Sequence, residues 1–342
     1  MRPERLAPGF SLSASETGPL SEYGFGMSEA PPGPPRTAPD LPPSHYALGL
    51  QIMGHIHLIP LTTFIQIPQI KEGLRRQFPL ADVRLKNILH VPPRTRNYFL
   101  IGRAFDYLLR WEVKRLNPSA SESEWIAEKA PERLSGREHR LAEDVVRTAK
   151  AAQTTFLKSG KFSESIGTSL MQLARLDSVF RESRFLPGIG HSEEAADLKD
   201  LRDLLKLARG CPHFRARGQH PVVLNPPLGV GNLLADADMI INQTLIDVKT
   251  TKTVDWENTY YQLTAYCLLR WGRELWIKMK GTTRGEIRDR LALCPRVRFL
   301  AAYYARFGEW LQVAAPKPTR DFFEIAAWFL REAQKVGARA NL

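Results

Sequence analysis

The stretch GNLLADADMIINQTLIDVKT, residues 231–250, is the most informative for the fold because its apolar and polar residues alternate. Along 233–241 every odd position is apolar, as the buried face of a strand should be. The even positions include Asp236 and Asp238, whose side chains project from the other face. The first half of the stretch therefore predicts a strand that carries two carboxylates opposite an apolar face.

The second half of the stretch predicts a partner strand. Asn242-Gln243 is compatible with a two-residue turn, although Asn-Gly would be a stronger signal. After the turn, Thr244–Lys249 places Asp247 and Lys249 on the same face. The whole stretch is thus expected to form an antiparallel hairpin.

Pairing the two strands across this turn places Asp238 opposite Asp247 and Asp236 opposite Lys249. Like charges directly opposite each other destabilise a sheet. A divalent cation between the two carboxylates would remove that penalty, and oxygen ligands suit Mg²⁺ or Mn²⁺. Lys249 is then placed to stabilise developing negative charge or to orient an attacking water. The plain alternative is a surface strand with an Asp236–Lys249 ion pair.

The surrounding sequence predicts a mixed α/β domain. Helical periodicity covers 97–116 and 255–271, the second of which should end at Gly272. Further elements are predicted as a basic helix at 68–77, strands at 274–279 and 297–313, and a closing helix at 319–336.

Two regions flank or interrupt this domain. Residues 1–46 hold 10 of the 25 prolines and 5 of the 23 glycines, which predicts a disordered tail, although a mistaken upstream start codon would look the same. Residues 47–342 would form the domain, with 118–210 as a helical insertion or subdomain. Helices are predicted there at about 138–158, 164–182 and 193–208.

Composition narrows the function classes. The net charge is +12, and the chain beyond residue 46 carries +14, which favours a polyanionic partner. The 3 cysteines have no paired spacing, which excludes a disulfide scaffold or a zinc ribbon and suits a reducing cytoplasm. Neither a secretory signal nor an apolar run of membrane-spanning length is present.

The hairpin, together with QLTAY at 262–266, resembles the PD-(D/E)xK nuclease superfamily and most closely its RecB-like branch. The resemblance implies a restriction-endonuclease-like mixed β-sheet flanked by helices. Gln262 and Tyr266 match the helix signature of that branch, and four residues apart they share one face.

Carried over residue by residue, the resemblance implies a metal-dependent active site. Asp238 and Asp247 would be the metal carboxylates, the carbonyl of Val248 a further ligand and Lys249 the catalytic lysine. Gln262 would support catalysis from the next helix, with Tyr266 and Asp236 in supporting positions.

The resemblance also implies a metal ligand on the upstream helix 97–116. Asp106 stands four residues after Gly102, where RecB-like members commonly have His. Glu112 falls within the apolar arc of the helix, and a buried carboxylate is costly unless it is paired or metal-bound. Either residue could complete the site, or both could be ordinary surface acids.

The expected function is a cytoplasmic, Mg²⁺- or Mn²⁺-dependent nuclease acting on DNA, with RNA as the other candidate substrate and no membrane partner. No P-loop motif is present, so a helicase or other pathway partner would act in trans. The alternative is a non-catalytic nucleic-acid-binding subunit that keeps the nuclease fold.

Overall fold

The computed structural model describes residues 59–182, 194–216, 220–279 and 295–340, all within the unit Tyr46–Leu342. The tail predicted over 1–46 lies outside the described residues. Within the described ranges, no helix has the length and apolar character needed to cross a membrane.

A mixed six-stranded sheet forms the centre of the fold. Its strands are β2 (Ser121–Glu122), β3 (Val223–Leu224), β5 (Met239–Ile241), β6 (Thr244–Lys249), β7 (Phe299–Tyr304) and β8 (Glu309–Ala314). They lie side by side in the order β2-β3-β5-β6-β7-β8. The pairs β2/β3 and β6/β7 are parallel, and the other neighbours are antiparallel. Two short strands, β1 (Ile59–Pro60) and β4 (Leu233–Leu234), form a separate parallel pair.

Helices flank the sheet, as the sequence predicts for a mixed α/β domain. They are α1 (Leu61–Phe64), α2 (Pro68–Gln77), α3 (Tyr98–Leu116), α4 (Gly136–Ser159), α5 (Glu164–Glu182), α6 (Ala195–Arg209), α7 (Trp256–Met279) and α8 (Arg320–Ala340). Short 3₁₀ helices occur at Ile126–Lys129, Pro131–Arg133 and Pro212–Phe214.

Two hydrophobic cores cover the two faces of the sheet. The first contains buried residues of α3, α4, α5 and α6, and the second contains those of α1, α2, α7 and α8. Neighbouring residues of β6 enter different cores, because successive side chains of a strand point to opposite faces. Ile246 packs into the first core and Leu245 into the second. Since both faces are covered, the central strands are apolar on both sides.

The predicted hairpin register is confirmed for β5 and β6. Met239 pairs with Ile246 and Ile241 pairs with Thr244. Asn242 and Gln243 form the turn with φ of +52° and +62°, the conformation that matches the right-handed twist of the strands.

The prediction of one continuous strand over 233–241 is wrong. Its odd positions are buried as expected, but Leu233 packs into the second core whereas Met239 packs into the first. Regular pairing with β6 begins only at Met239, and Asp236 forms an isolated antiparallel bridge with Pro227. The predicted pairs of Asp238 with Asp247 and of Asp236 with Lys249 are therefore both outside the ladder, and Lys249 forms an ion pair with Asp247.

The predictions for 255–279 also need correction. Helix α7 continues through Gly272 to Met279, so 274–279 is helical rather than a strand. A Cβ atom at Gly272 would lie 3.0 Å from Leu330 of α8, which shows that this glycine allows close helix packing. Packing against α8 thus explains a glycine that sequence reasoning interpreted as a helix end.

The segment 118–210 supplies three of the flanking helices at about the predicted positions, but it is not wholly helical. Ser121–Glu122 forms β2 at one edge of the sheet. Asp200 of α6 forms a buried bidentate ion pair with Arg306, in the turn between β7 and β8, with both N–O distances at 2.9 Å. The segment is therefore integrated with the sheet.

Candidate active site

The charged residues of the hairpin meet helix α7 at the end of β6. Asp247 and Lys249 lie on the face of β6 that α7 covers, and Nζ of Lys249 donates a 2.9 Å hydrogen bond to Oε1 of Gln262. Nε2 of Gln262 donates to Oδ1 of Asp247 at 3.3 Å and to the hydroxyl of Tyr266 at 3.0 Å. Gln262 thus connects the strand carboxylate, the strand lysine and the helix.

Asp247 and Lys249 also form a direct ion pair. Nζ of Lys249 lies 2.7 Å from Oδ2 of Asp247, whose side chain is only 5 % exposed. Burial alone would lower the pKa of Lys249, but the Asp247 carboxylate outweighs that effect and the pKa is raised. The amine is therefore a cation at neutral pH, which suits charge stabilisation rather than proton abstraction.

Asp238 lies immediately before β5, where the ladder with β6 ends. Its Oδ2 accepts a 2.5 Å hydrogen bond from the backbone N–H of Val248, between Asp247 and Lys249 in the chain. Burial raises the pKa of Asp238 well above its ordinary value, and the carboxylates of Asp106 and Asp247 raise it further. Like charges close to a half-buried carboxylate thus oppose its ionisation.

Asp106 of α3 is the upstream acid whose charge acts on Asp238. Its Oδ2 accepts a 2.7 Å hydrogen bond from Nη2 of Arg110, one helical turn further on. Asp106 is also the charged neighbour with the largest effect on the pKa of Asp238 after burial itself. We refer to Asp106, Asp238 and Asp247 as the carboxylate cluster.

Arg110 is a site residue that the sequence analysis missed. Its side chain is only 3 % exposed, and its guanidinium lies 4.4 Å from the ring centroid of Tyr107. Nε and Nη1 are buried without a hydrogen-bond partner in the described part of the chain. Burial alone would lower the pKa of Arg110, but Asp106, Tyr107, Glu122 and Asp238 together outweigh it and the pKa is raised. In the sequence, Arg110 follows Asp106 by four residues, a spacing that makes the two side chains neighbours on a helix and could have indicated this contact.

The structure does not bring Glu112 into the carboxylate cluster. Its carboxylate, 2 % exposed, accepts two hydrogen bonds from Arg115 and two from Arg209, at 2.6 to 3.1 Å. Burial favours a higher pKa for Glu112, but these guanidinium groups lower it. We call Glu112, Arg115 and Arg209 the Glu112 cluster.

The remaining predicted residues surround the carboxylate cluster. Asp236 is half-buried and takes part in the bridge to Pro227. Burial raises the pKa of the Tyr266 hydroxyl well above its ordinary value, with contributions from Asp247, Asp238 and Asp236. All three carboxylates of the hairpin thus act on the pKa of Tyr266, whose hydroxyl also accepts a hydrogen bond from Gln262.

The carboxylate cluster fits a divalent cation by charge and donor type. Three carboxylates face two cations, Arg110 and Lys249, so negative charge is in excess when all are ionised. Oδ2 of Asp247 is buried, and its 2.7 Å ion pair with Nζ of Lys249 lacks hydrogen-bond geometry. No group of three or more His, Cys, Asp or Glu side chains within these ranges has the arrangement expected of a metal site. A cation would therefore require the side chains to close around it.

Comparisons of the chain with protein-family models, with curated proteins and with solved structures found no match.

Proposed function

We propose that this chain is a nuclease that hydrolyses DNA phosphodiester bonds and uses Mg²⁺ or Mn²⁺. The observation that carries the proposal is the convergence of two hairpin carboxylates, a cationic lysine and a bridging glutamine at the end of β6 beside α7. The charge of +14 beyond residue 46 supports a polyanionic substrate. In this proposal the fold is the restriction-endonuclease-like one that the sequence resemblance implies.

The metal would be held by Asp238, Asp247 and the carbonyl of Val248, with Asp106 as the ligand from α3. When bound, a divalent cation polarises the phosphate and lowers the pKa of the attacking water. All of these donors are oxygen atoms, which is the ligand type that Mg²⁺ and Mn²⁺ prefer. Arg110 would hold Asp106 in place through its hydrogen bond to Oδ2.

The chain's own residues would supply the other contributions to the reaction. Lys249, kept protonated by its carboxylate neighbour, would donate to an oxygen of the scissile phosphate or to the attacking water. Gln262 would fix the position of that amine, because its side chain contacts both Lys249 and Asp247. Asp247 and Lys249 would separate when the carboxylate turns to a metal.

The proposal is tested by incubating the purified chain with linear and circular DNA in Mg²⁺, Mn²⁺ or EDTA. We expect cleavage that requires metal and is lost in Asp247→Asn, because the amide is a poorer ligand for a hard cation. Asp144→Asn is the matched control, since Asp144 is 56 % exposed on α4. Equal cleavage rates in wild type and Asp247→Asn would overturn the proposal. Binding of DNA without cleavage of DNA or RNA would instead support the non-catalytic subunit.

A further inference from the structure

The chain between α2 and α3 exposes an unusual number of apolar side chains. Its residues 79–97 form neither helix nor strand. Of the seven large hydrophobic side chains that are exposed in the described residues, four lie within 80–89. They are Leu80, Leu85, Ile88 and Leu89, with exposed fractions of 40 % to 56 %. Apolar side chains concentrated in this way are typical of a protein–protein contact, whereas single exposed ones are ordinary.

The charges on this part of the chain are balanced, unlike those of the chain as a whole. Asp82 is negative, and Arg84 and Lys86 are positive. Glu309 adds a second negative charge, because its Oε1 accepts hydrogen bonds from the backbone N–H groups of Lys86 at 2.5 Å and Asn87 at 3.2 Å. Since the net charge is close to zero here, the surface has no electrostatic preference for a polyanion. A protein surface is therefore the better occupant.

Residues 80–84 have the burial pattern of an extended strand whose backbone is unpaired. Leu80, Asp82 and Arg84 are exposed, whereas Ala81 and Val83 are half-buried and pack against the second core. Within the described ranges, no hydrogen bond uses the N–H or C=O of residues 82–84, and the side chains of Asp82 and Arg84 have no ionic partner. An exposed row of unpaired backbone groups is a template for pairing with another strand.

The sequence of this strand is complementary to itself. In a two-fold symmetric contact the same residues meet from both sides, so each charge must find its opposite within the same segment. Antiparallel pairing of two copies about Val83 places Asp82 of each copy opposite Arg84 of the other. Opposite charges in these positions stabilise a strand pair, and like charges destabilise it. The same register places Leu80 opposite Lys86, whose aliphatic stem can cover an apolar side chain.

We propose that residues 80–86 pair with the same residues of a second copy of this chain and form a two-fold symmetric dimer. The apolar side chains of Leu85, Ile88 and Leu89, next to this strand in the chain, would be shielded from water by the second copy. The charge complementarity of Asp82 and Arg84 is what favours a second copy over an unrelated partner. The inference does not depend on the proposed function, because the contact needs neither metal nor nucleic acid.

Sedimentation velocity over a dilution series of the full chain tests the dimer, in EDTA and without nucleic acid. We expect wild type to sediment as two chains that dissociate on dilution. Arg84→Asp should raise the dissociation constant at least about tenfold, because two attractive pairs become two repulsive ones. The substitution counts twice, since a symmetric dimer contains Arg84 in both copies.

Two further variants make the outcome specific. The double variant Asp82→Arg/Arg84→Asp exchanges the two charges and restores both opposite-charge pairs in the same register, so it should dimerise as wild type does. Arg147→Asp is the matched control, because it changes the net charge equally at a side chain 77 % exposed on α4. Its dissociation constant should equal that of wild type. Thermal midpoints would verify that each variant is folded.

Three results would overturn the inference. Wild type could remain a monomer at every concentration, which would leave the surface to a partner of another kind. Arg84→Asp could dimerise as strongly as Arg147→Asp, which would place the contact between copies elsewhere. The charge-exchange variant could fail to recover the dimer, which would exclude the register about Val83. None of these results bears on metal-dependent cleavage, which is measured separately.

Discussion

The Glu112 cluster and the carboxylate cluster begin six residues apart on α3, yet their charges are arranged in opposite ways. Glu112 is one carboxylate between two guanidinium groups, and every contact between them favours its charged form. Asp238 is one carboxylate between two others, and burial together with those neighbours opposes its charge. The first arrangement satisfies the charge of its carboxylate, whereas the second brings like charges together, which in the proposed function a metal cation would offset.

The largest expected effect is on the cleavage rate, which should depend on Lys249 beside the carboxylate cluster and not on Glu112. Lys249→Ala should lower the cleavage rate at least about a hundredfold, because a positioned cation near the developing charge contributes several kcal/mol in the transition state. Glu112→Gln should cleave at the wild-type rate per folded molecule. Initial rates on linear DNA in Mg²⁺ would measure both, with the exposed Lys335→Ala as the control. Similar rate losses in the Lys249 and Glu112 variants would contradict the prediction that only the carboxylate cluster takes part in cleavage.

The next largest effect should be on the free energy of unfolding, to which the Glu112 cluster should contribute more than the carboxylate cluster. Glu112→Gln should lower the free energy of unfolding by roughly 2 kcal/mol, because Arg115 and Arg209 lose a buried partner. The loss stays moderate since both arginines are partly exposed and remain hydrated. Urea denaturation in EDTA would measure it. An unchanged midpoint would show that the Glu112 cluster contributes nothing to the fold.

The Glu112 contribution should also depend on pH. Its pKa is lowered in the folded chain, so the contribution is complete above the ordinary carboxyl value of about 4.3 and is lost as the pH falls through the lowered value. The difference in thermal midpoint between wild type and Glu112→Gln should therefore shrink on acidification from pH 7 to pH 3. A constant difference across that range would contradict the assigned ion pairs.

The smallest effect should come from Asp238→Asn in EDTA. The amide can still accept the hydrogen bond from Val248 while it removes the repulsion with Asp106 and Asp247. We expect an increase in the free energy of unfolding of about 0.5–1 kcal/mol. Differential scanning fluorimetry in EDTA would detect the higher midpoint. A lower midpoint would mean that the Asp238 charge is stabilising without metal.

Local pattern alone was enough to predict the hairpin and its register. The turn at Asn242-Gln243 and the alternation beside it determine that Met239 faces Ile246. The same pattern failed before Asp238, because alternation separates two faces but does not say which core each face enters. Leu233 of β4 and Met239 of β5 are both apolar and almost fully buried, although they belong to different sheets and different cores.

The mixed α/β class, the hairpin and the set of candidate residues could be predicted from the sequence, since each depends on residues close together in the chain. The difference between Asp106 and Glu112 becomes visible only in the folded structure. The sequence presented both as acids on one amphipathic helix. Glu112 is hydrogen-bonded by Arg209, 97 residues away, whereas the carboxylate of Asp106 raises the pKa of Asp238 and accepts a hydrogen bond from Arg110. The role of a buried charge depends on its neighbours in space, and distant segments supply those neighbours only when the chain has folded.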